Sequence, residues 1–163
     1  MSADGFVIRA AEREDRDLIF SFIRELAEYE RLLDQVAATV DDIERALFGA
    51  DARVFCDIAE FHRAPAGFAL WFYNYSTFRG RYGIYLEDLY VRPTFRGRGI
   101  GKALLVNLAK RAVTENRARV EWAVLDWNEP SIAFYKSLGA KPSDGWTVFR
   151  LSDEALGDLA KSV

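Results

Sequence analysis

Leu89-Tyr90-Val91-Arg92-Pro93-Thr94-Phe95-Arg96-Gly97-Arg98-Gly99-Ile100-Gly101-Lys102 holds three local structures in fourteen residues. An apolar run stops at Pro93, a glycine-rich turn follows, and a helical pattern starts at once. Ile100, Leu104, Leu105, Leu108, Ala109 and Ala112 form the apolar stripe of that helix. Glycines let successive backbone N–H groups converge, and a new helix adds its unpaired donors and the positive end of its dipole. Such a nest suits phosphate. Arg96, Arg98 and Lys102 add positive charge around it.

Phosphate loops come in several patterns, and most fail here. A Walker loop needs glycine where Arg96 stands and Ser or Thr where Ala103 stands. A dinucleotide fingerprint starting at Gly97 needs its third glycine at Lys102. The pattern Arg/Gln-x-x-Gly-x-Gly/Ala is met in full by Arg96, Gly99 and Gly101. A plain glycine-rich turn is the simpler alternative, and the strand–loop–helix context argues against it.

Outward from this loop, the chain alternates strand and helix signals. Phe6–Ala11 reads as a strand. From Glu14 the spacing becomes helical, with Leu18, Ile19, Phe22, Ile23, Leu26 and Ala27 on one face. Thr39 and Asp42 have the form of a capping box for a helix running to about Leu47, with Gly49 ending it. Arg53–Glu60 and Ala66–Tyr73 read as strands around the turn-like 62–65, and a loop holding Asn74, Ser76, Gly80 and Gly83 leads to a strand over Ile84–Val91. Val120–Asp126 is expected as a fifth strand, and Pro130 opens a helix that ends before Gly139. A last strand is expected over Trp146–Leu151, with Ser152 capping a final helix. This order predicts an α/β fold: one domain over residues 1–163, with a mixed central β-sheet and helices on both faces.

Composition narrows the function. With 163 residues, 50% hydrophobic and 29% charged, the chain is long enough for a sizeable core. One cysteine (Cys56) and one histidine (His62) leave no internal disulfide and no Cys- or His-based metal site. Cys56 lies in a strand as inert core, and His62 sits in a turn with no nucleophile pattern beside it, so hydrolase readings fail. A net charge of −3 argues against a bulk grip on nucleic acid. The longest apolar run, about eight residues around Ala66–Tyr73, is far below the roughly 20 needed to cross a membrane. Met1–Gly5 has no basic-then-apolar leader, which gives a cytoplasmic expectation. The charge is segregated: Leu89–Thr114 carries six basic residues and no acid, so the rest carries −9. That predicts an anionic cofactor and a cationic acceptor.

Two further stretches break their own pattern. Glu87-Asp88 interrupts an apolar strand, and adjacent strand residues face opposite ways unless a bulge redirects them. A buried carboxylate is costly, so the pair reads either as a site or as a salt bridge to an arginine such as Arg79 or Arg81. In Asp126–Ala140, Asn128 can cap a helix that carries Phe134 and Tyr135. Alone, Tyr135 reads as a core aromatic.

Together, Arg96-x-x-Gly99-x-Gly101, Asn128 and Tyr135 resemble the motifs of the GNAT acetyltransferases. Arg24–Glu30, Tyr85–Asp88, Trp127–Ser131 and Phe134–Lys136 resemble the diamine (spermidine/spermine) N-acetyltransferases over nearly the whole chain. Tyr75-Ser76-Thr77 and Ala123–Asn128 are more similar to their thialysine N-ε-acetyltransferase branch. There, fewer acids and the nearby Arg79 and Arg81 suit a zwitterionic amino acid. The resemblance implies an acetyl-CoA-dependent transferase acting on a small cationic primary amine. The backbone of Leu89, Tyr90 and Val91 would hold pantetheine. Arg96, Gly97, Arg98, Gly99, Ile100, Gly101 and Lys102, with Asn128, Glu129, Pro130, Ser131 and Tyr135, would hold the rest of the cofactor. Tyr135 would act as acid and Glu87 as base. Tyr29, Glu30, Glu87, Asp88, Glu121 and Asp144 would line the amine side. A homodimer is expected by the same resemblance. The alternatives are a protein or peptide N-acetyltransferase and a non-catalytic acyl-CoA-binding domain.

Overall fold

The computed structural model describes residues 5–162; residues 1–4, where most of the expected leader-free start falls, lie outside the described residues. The chain divides into two compact units, Met1–Ala123 and Val124–Val163.

The first unit is built on a five-stranded sheet in the order β1 (Phe6–Ala10), β2 (Val54–Phe61), β3 (Ala64–Ser76), β4 (Arg81–Val91), β5 (Val120–Glu121). The first four pair antiparallel and β5 lies parallel to β4, so the sheet is mixed as expected. Three helices belong to this unit: α1 (Arg16–Tyr29), α2 (Val40–Phe48) and α3 (Ile100–Thr114).

Strand periodicity of two separates the faces. Cys56, Ile58, Phe68, Leu70 and Tyr90 point to one side and form a core with Ile19 and Phe22 of α1. The Phe22 ring stacks on Phe68 at 5.2 Å, and neither side chain is exposed. Each such burial contributes about 1.5–3 kcal/mol. One residue out of phase, Asp57, Ala69 and Trp71 face the other side, where Arg111 of α3 lies 4.9 Å over the Trp71 ring. Helices thus cover both faces. Asp57 is buried there; its carboxyl is pushed up by burial and takes a 2.9 Å bond from the Trp71 indole. Cys56 is buried too, which pushes its thiol far up.

Local signals set the helix ends. Thr39 and Asp42 form the reciprocal capping box of α2, and Gly49 ends it. His62 and Arg63 take positive φ in the β2–β3 turn. Asn74 and Ser76, expected in a loop, belong to β3, and Gly83 belongs to β4, because the hairpin ladder runs out to the Ser76–Arg81 pair.

The second unit holds α4 (Glu129–Ser137) and α5 (Asp153–Ala160). Two strand expectations are corrected. The fifth strand stops at Glu121 instead of Asp126, because the β4 register shifts just beyond the paired Ile84–Tyr85. Trp146–Leu151 forms no strand. A strand propensity is realised only against a ladder neighbour, and this segment has none among the described residues. Ser152 stands at the N-cap of α5 without a side-chain bond.

Candidate active site

The decisive local event is a bulge in β4. Leu70 pairs with Asp88 and Trp71 with Leu86, so Glu87 is the extra residue. Without it, Asp88 would share the α3 face with Leu86. With it, Asp88 joins Tyr90 on the α1 face.

The same bulge precedes a free strand edge. The Arg92 N–H donates to Ala66 at 2.9 Å, and a Cβ on Gly67 would meet the Tyr90 carbonyl at 2.4 Å. Tyr90 and Arg92 therefore face β3, so Leu89 and Val91 turn their N–H and C=O groups away from it. No strand pairs with β4 on that side beyond Tyr85 among the described residues. The Val91 carbonyl instead accepts a 2.8 Å bond from Arg96 Nε.

Beyond Val91 the loop has the form its sequence requires. Gly97 and Gly99 take φ of 75° and 77°, with nothing within 4 Å of where a Cβ would stand. Gly99 is the N-cap of α3 and brings no side chain to its first-turn donors. Arg96, Arg98 and Lys102 are exposed around it. The arginines are not loose: Arg96 lies 4.9 Å over the Tyr29 ring and Arg98 lies 4.8 Å over Phe61. An open, uncapped, cationic helix start beside a free strand edge fits the phosphates and amide arm of acetyl-CoA.

On the α1 face, Glu30, Glu87 and Asp88 have no ion pair among the described residues. Asp88 is half-buried, and burial together with the charges of Glu87 and Glu30 pushes its carboxyl up to about 7. Burial also raises Glu30, at the end of α1. Neither Glu87 nor Asp88 pairs with Arg79 or Arg81; Arg81 bonds Asn116 at 2.6 Å. The salt-bridge alternative is thereby corrected. Glu121 is differently placed, with Asn74 and Arg119 both on its Oε2.

The second unit places its own set on α4. Asn128 is buried, and its Oδ1 accepts from the Ser131 N–H; Glu129 and Pro130 occupy the first turn. Tyr135 is half-buried one to two turns on, with its ring 5.4 Å from Phe134. Asp144 is exposed in the turn before Trp146.

Sequence reasoning missed Arg92. It binds Glu25 of α1 through two nitrogens, at 2.9 and 2.7 Å, and lies 4.6 Å over the Phe22 ring. This fixes the strand end where the glycine-rich loop begins. Its only sequence signal was a basic residue directly before Pro93. Among the described residues no group of three or more His, Cys, Asp or Glu is placed to hold a metal.

Comparison with known proteins bears on the family and the fold. The profile described as the Acetyltransferase (GNAT) family matches residues 15–140. A thialysine N-epsilon-acetyltransferase of Bos taurus is 39% identical over 165 residues, covering 94% of this chain and 96% of the relative. A spermidine/spermine N(1)-acetyltransferase-like protein of Homo sapiens is 36% identical over 169 residues, covering 98% of this chain and 24% of the relative. The solved integron cassette protein from the V. cholerae mobile metagenome superposes with a TM-score of 0.80 at 30% identity, covering 97% of this chain and 99% of that one.

Proposed function

The chain belongs to the GNAT acetyltransferase family and is an acyltransferase; from that premise we propose that it moves an acetyl group from acetyl-CoA to the primary amine of a small cationic molecule. The named relatives point to a lysine-like amino acid or a polyamine as acceptor. One observation carries the reading. The acidic pair Glu87-Asp88 runs directly into the free edge of Leu89 and Val91, so amine capture and donor binding adjoin on one strand.

The chemistry asks two things of the acids. An amine of pKa about 10.4 is neutral only about once in 2,500 molecules at pH 7, a cost of about 4.6 kcal/mol. Capture needs the cation, whereas attack needs the free base. Asp88 and Glu30 supply the negative field for capture. Burial first, and the charges of Glu87 and Glu30 after it, disfavour the ionised form of Asp88, and a bound ammonium beside it favours that form. Glu87, exposed at the bulge, accepts the ammonium proton directly or through one water. Acetyl-CoA, when bound, supplies an acyl group already activated as a thioester. The N–H groups on the free edge of β4 polarise the acyl carbonyl. The Tyr135 hydroxyl gives its proton to the departing sulfur, the role assigned by resemblance. This reading takes residues 1–163 as one catalytic domain, working as a homodimer in the cytoplasm.

The test is thiol release from acetyl-CoA in the presence of an amine panel. Amine-dependent thiol is expected. Binding of acetyl-CoA without thiol release indicates a non-catalytic acyl-CoA-binding domain, and acetylation of peptides alone indicates a protein acetyltransferase. Tyr135→Phe should lower turnover with little change in acetyl-CoA affinity; unchanged turnover at saturating substrate removes Tyr135 from this role. Light scattering tests the dimer.

A further inference from the structure

Two arginines leave the glycine-rich loop and come to rest on different elements. Arg96 donates from Nε to the Val91 carbonyl at 2.8 Å and lies 4.9 Å from the Tyr29 ring and 5.7 Å from the Tyr90 ring. It is thereby committed to α1 and β4. Arg98 leaves between Gly97 and Gly99, both at positive φ, and its guanidinium lies 4.8 Å over the ring of Phe61, the last residue of β2. Arg92 is paired with Glu25, but Arg98 has no carboxylate partner among the described residues.

The seat under Arg98 is fixed from two sides. The Phe61 ring packs 5.9 Å from Phe95, in the short helical turn 93–95, and edge-on against His62 at 4.4 Å. Phe61 is half-buried, whereas Arg98 is exposed. A guanidinium stacked on an aromatic ring uses only its face there. Its N–H donors lie in the plane, along the edge, and stay open to an oxyanion. The adjoining turn 62–65 adds the exposed Arg63 and no acid, and Glu60 before it is held by Arg9 at 2.8 Å.

The proposed donor supplies a reason for two separate cationic positions. Acetyl-CoA carries a diphosphate bridge and, apart from it, a phosphate monoester on the ribose 3′ carbon, with about −1.5 to −2 charge near pH 7. The open N–H groups at the start of α3 suit the diphosphate, and an arginine held over β2 suits the monoester. We propose that Arg98, seated on Phe61, takes the ribose 3′-phosphate, with Phe61 as its positioning residue. The protein then distinguishes coenzyme A from 3′-dephospho-coenzyme A. The inference rests on the acetyl-CoA reading above and adds to it a charge-selective contact outside the helix start. A loose arginine gives up the freedom of a long side chain on binding; on the ring, much of that freedom is lost before the ligand arrives. Phe61 acts through Arg98, so it sets the affinity for the monoester and not that for the diphosphate.

The experiment is titration calorimetry of coenzyme A and 3′-dephospho-coenzyme A against the parent protein, Arg98→Gln, Phe61→Leu and Phe61→Tyr. The readout is the ratio of the two Kd values. The parent should bind coenzyme A about tenfold more tightly or better, as a charge-assisted contact requires. Arg98→Gln should bring the ratio to within about threefold of one, with little change in Kd for the dephospho form. Phe61→Leu should lower the ratio by a smaller factor, and Phe61→Tyr, which keeps the ring, should leave it unchanged. Because each ratio is taken within one protein, a partial loss of fold cancels. A parent ratio near one, or a ratio unmoved by Arg98→Gln, overturns the contact while leaving coenzyme A binding standing. A ratio moved by Arg98→Gln but not by Phe61→Leu overturns the positioning role. Binding of neither compound overturns acetyl-CoA as the donor, and the contact falls with it.

Discussion

Glu25 and Glu30 stand five residues apart at the end of α1, both half-buried, and their carboxyls are shifted in opposite directions. Arg92 bonds Glu25 and pulls its carboxyl below the usual range, against the effect of burial. Glu30 has burial alone, and its carboxyl rises. The contrast repeats along β4, where Arg92, just past its end, is paired and Asp88 and Glu87 at the bulge have no ion pair among the described residues. Paired charges here tie the loop-bearing strand end to α1. On the proposed function, the unpaired ones keep a field for a cationic acceptor.

The largest effect that sharpens this contrast is expected from Glu87→Gln. Loss of a positioned base costs about 10²–10⁴-fold, and the fall should appear in kcat/KM for the amine, with thermal stability kept. Equal activity would place the proton elsewhere. Next comes Asp88→Asn. The folded carboxyl titrates near 7 and the unfolded one near 3.9, so the folded state binds the proton more tightly between these values. Stability therefore falls as pH rises through that window, and the full cost, at most about 4 kcal/mol, is present above it. Urea midpoints should show the variant more stable than the parent at pH 8 and equal to it near pH 3.

Glu25→Ala should do the reverse. Its depressed carboxyl contributes stability above its ordinary value, and that contribution is lost as pH falls through the folded value. At pH 7 the variant should lose about 1.5–3 kcal/mol, the range for hydrogen bonds to charged groups. An unchanged melting temperature would break the comparison. The smallest effect is Thr39→Ala, which removes the α2 cap and costs about 1 kcal/mol. It should leave the pH profile and the acceptor preference alone, because α2 lies outside both charged regions.

The sequence by itself determined what depends on near neighbours. Glycines at 97 and 99 set the turn, because glycine takes that φ without strain, and the strand–loop–helix order made it a candidate phosphate loop. The period of α1, the capping box of α2 and the Asn128 cap of α4 were legible for the same reason. The Glu87-Asp88 break marked a candidate site without saying which way either acid faced. Tertiary structure decided that, since a one-residue bulge changes the face of every side chain after it. It also decided that Glu25 answers to Arg92 across 67 positions, that Asn74 reaches Glu121 over Gly83, and that the fifth strand ends at two residues. Register and long-range pairing depend on what the sheet brings alongside, and no local pattern contains that.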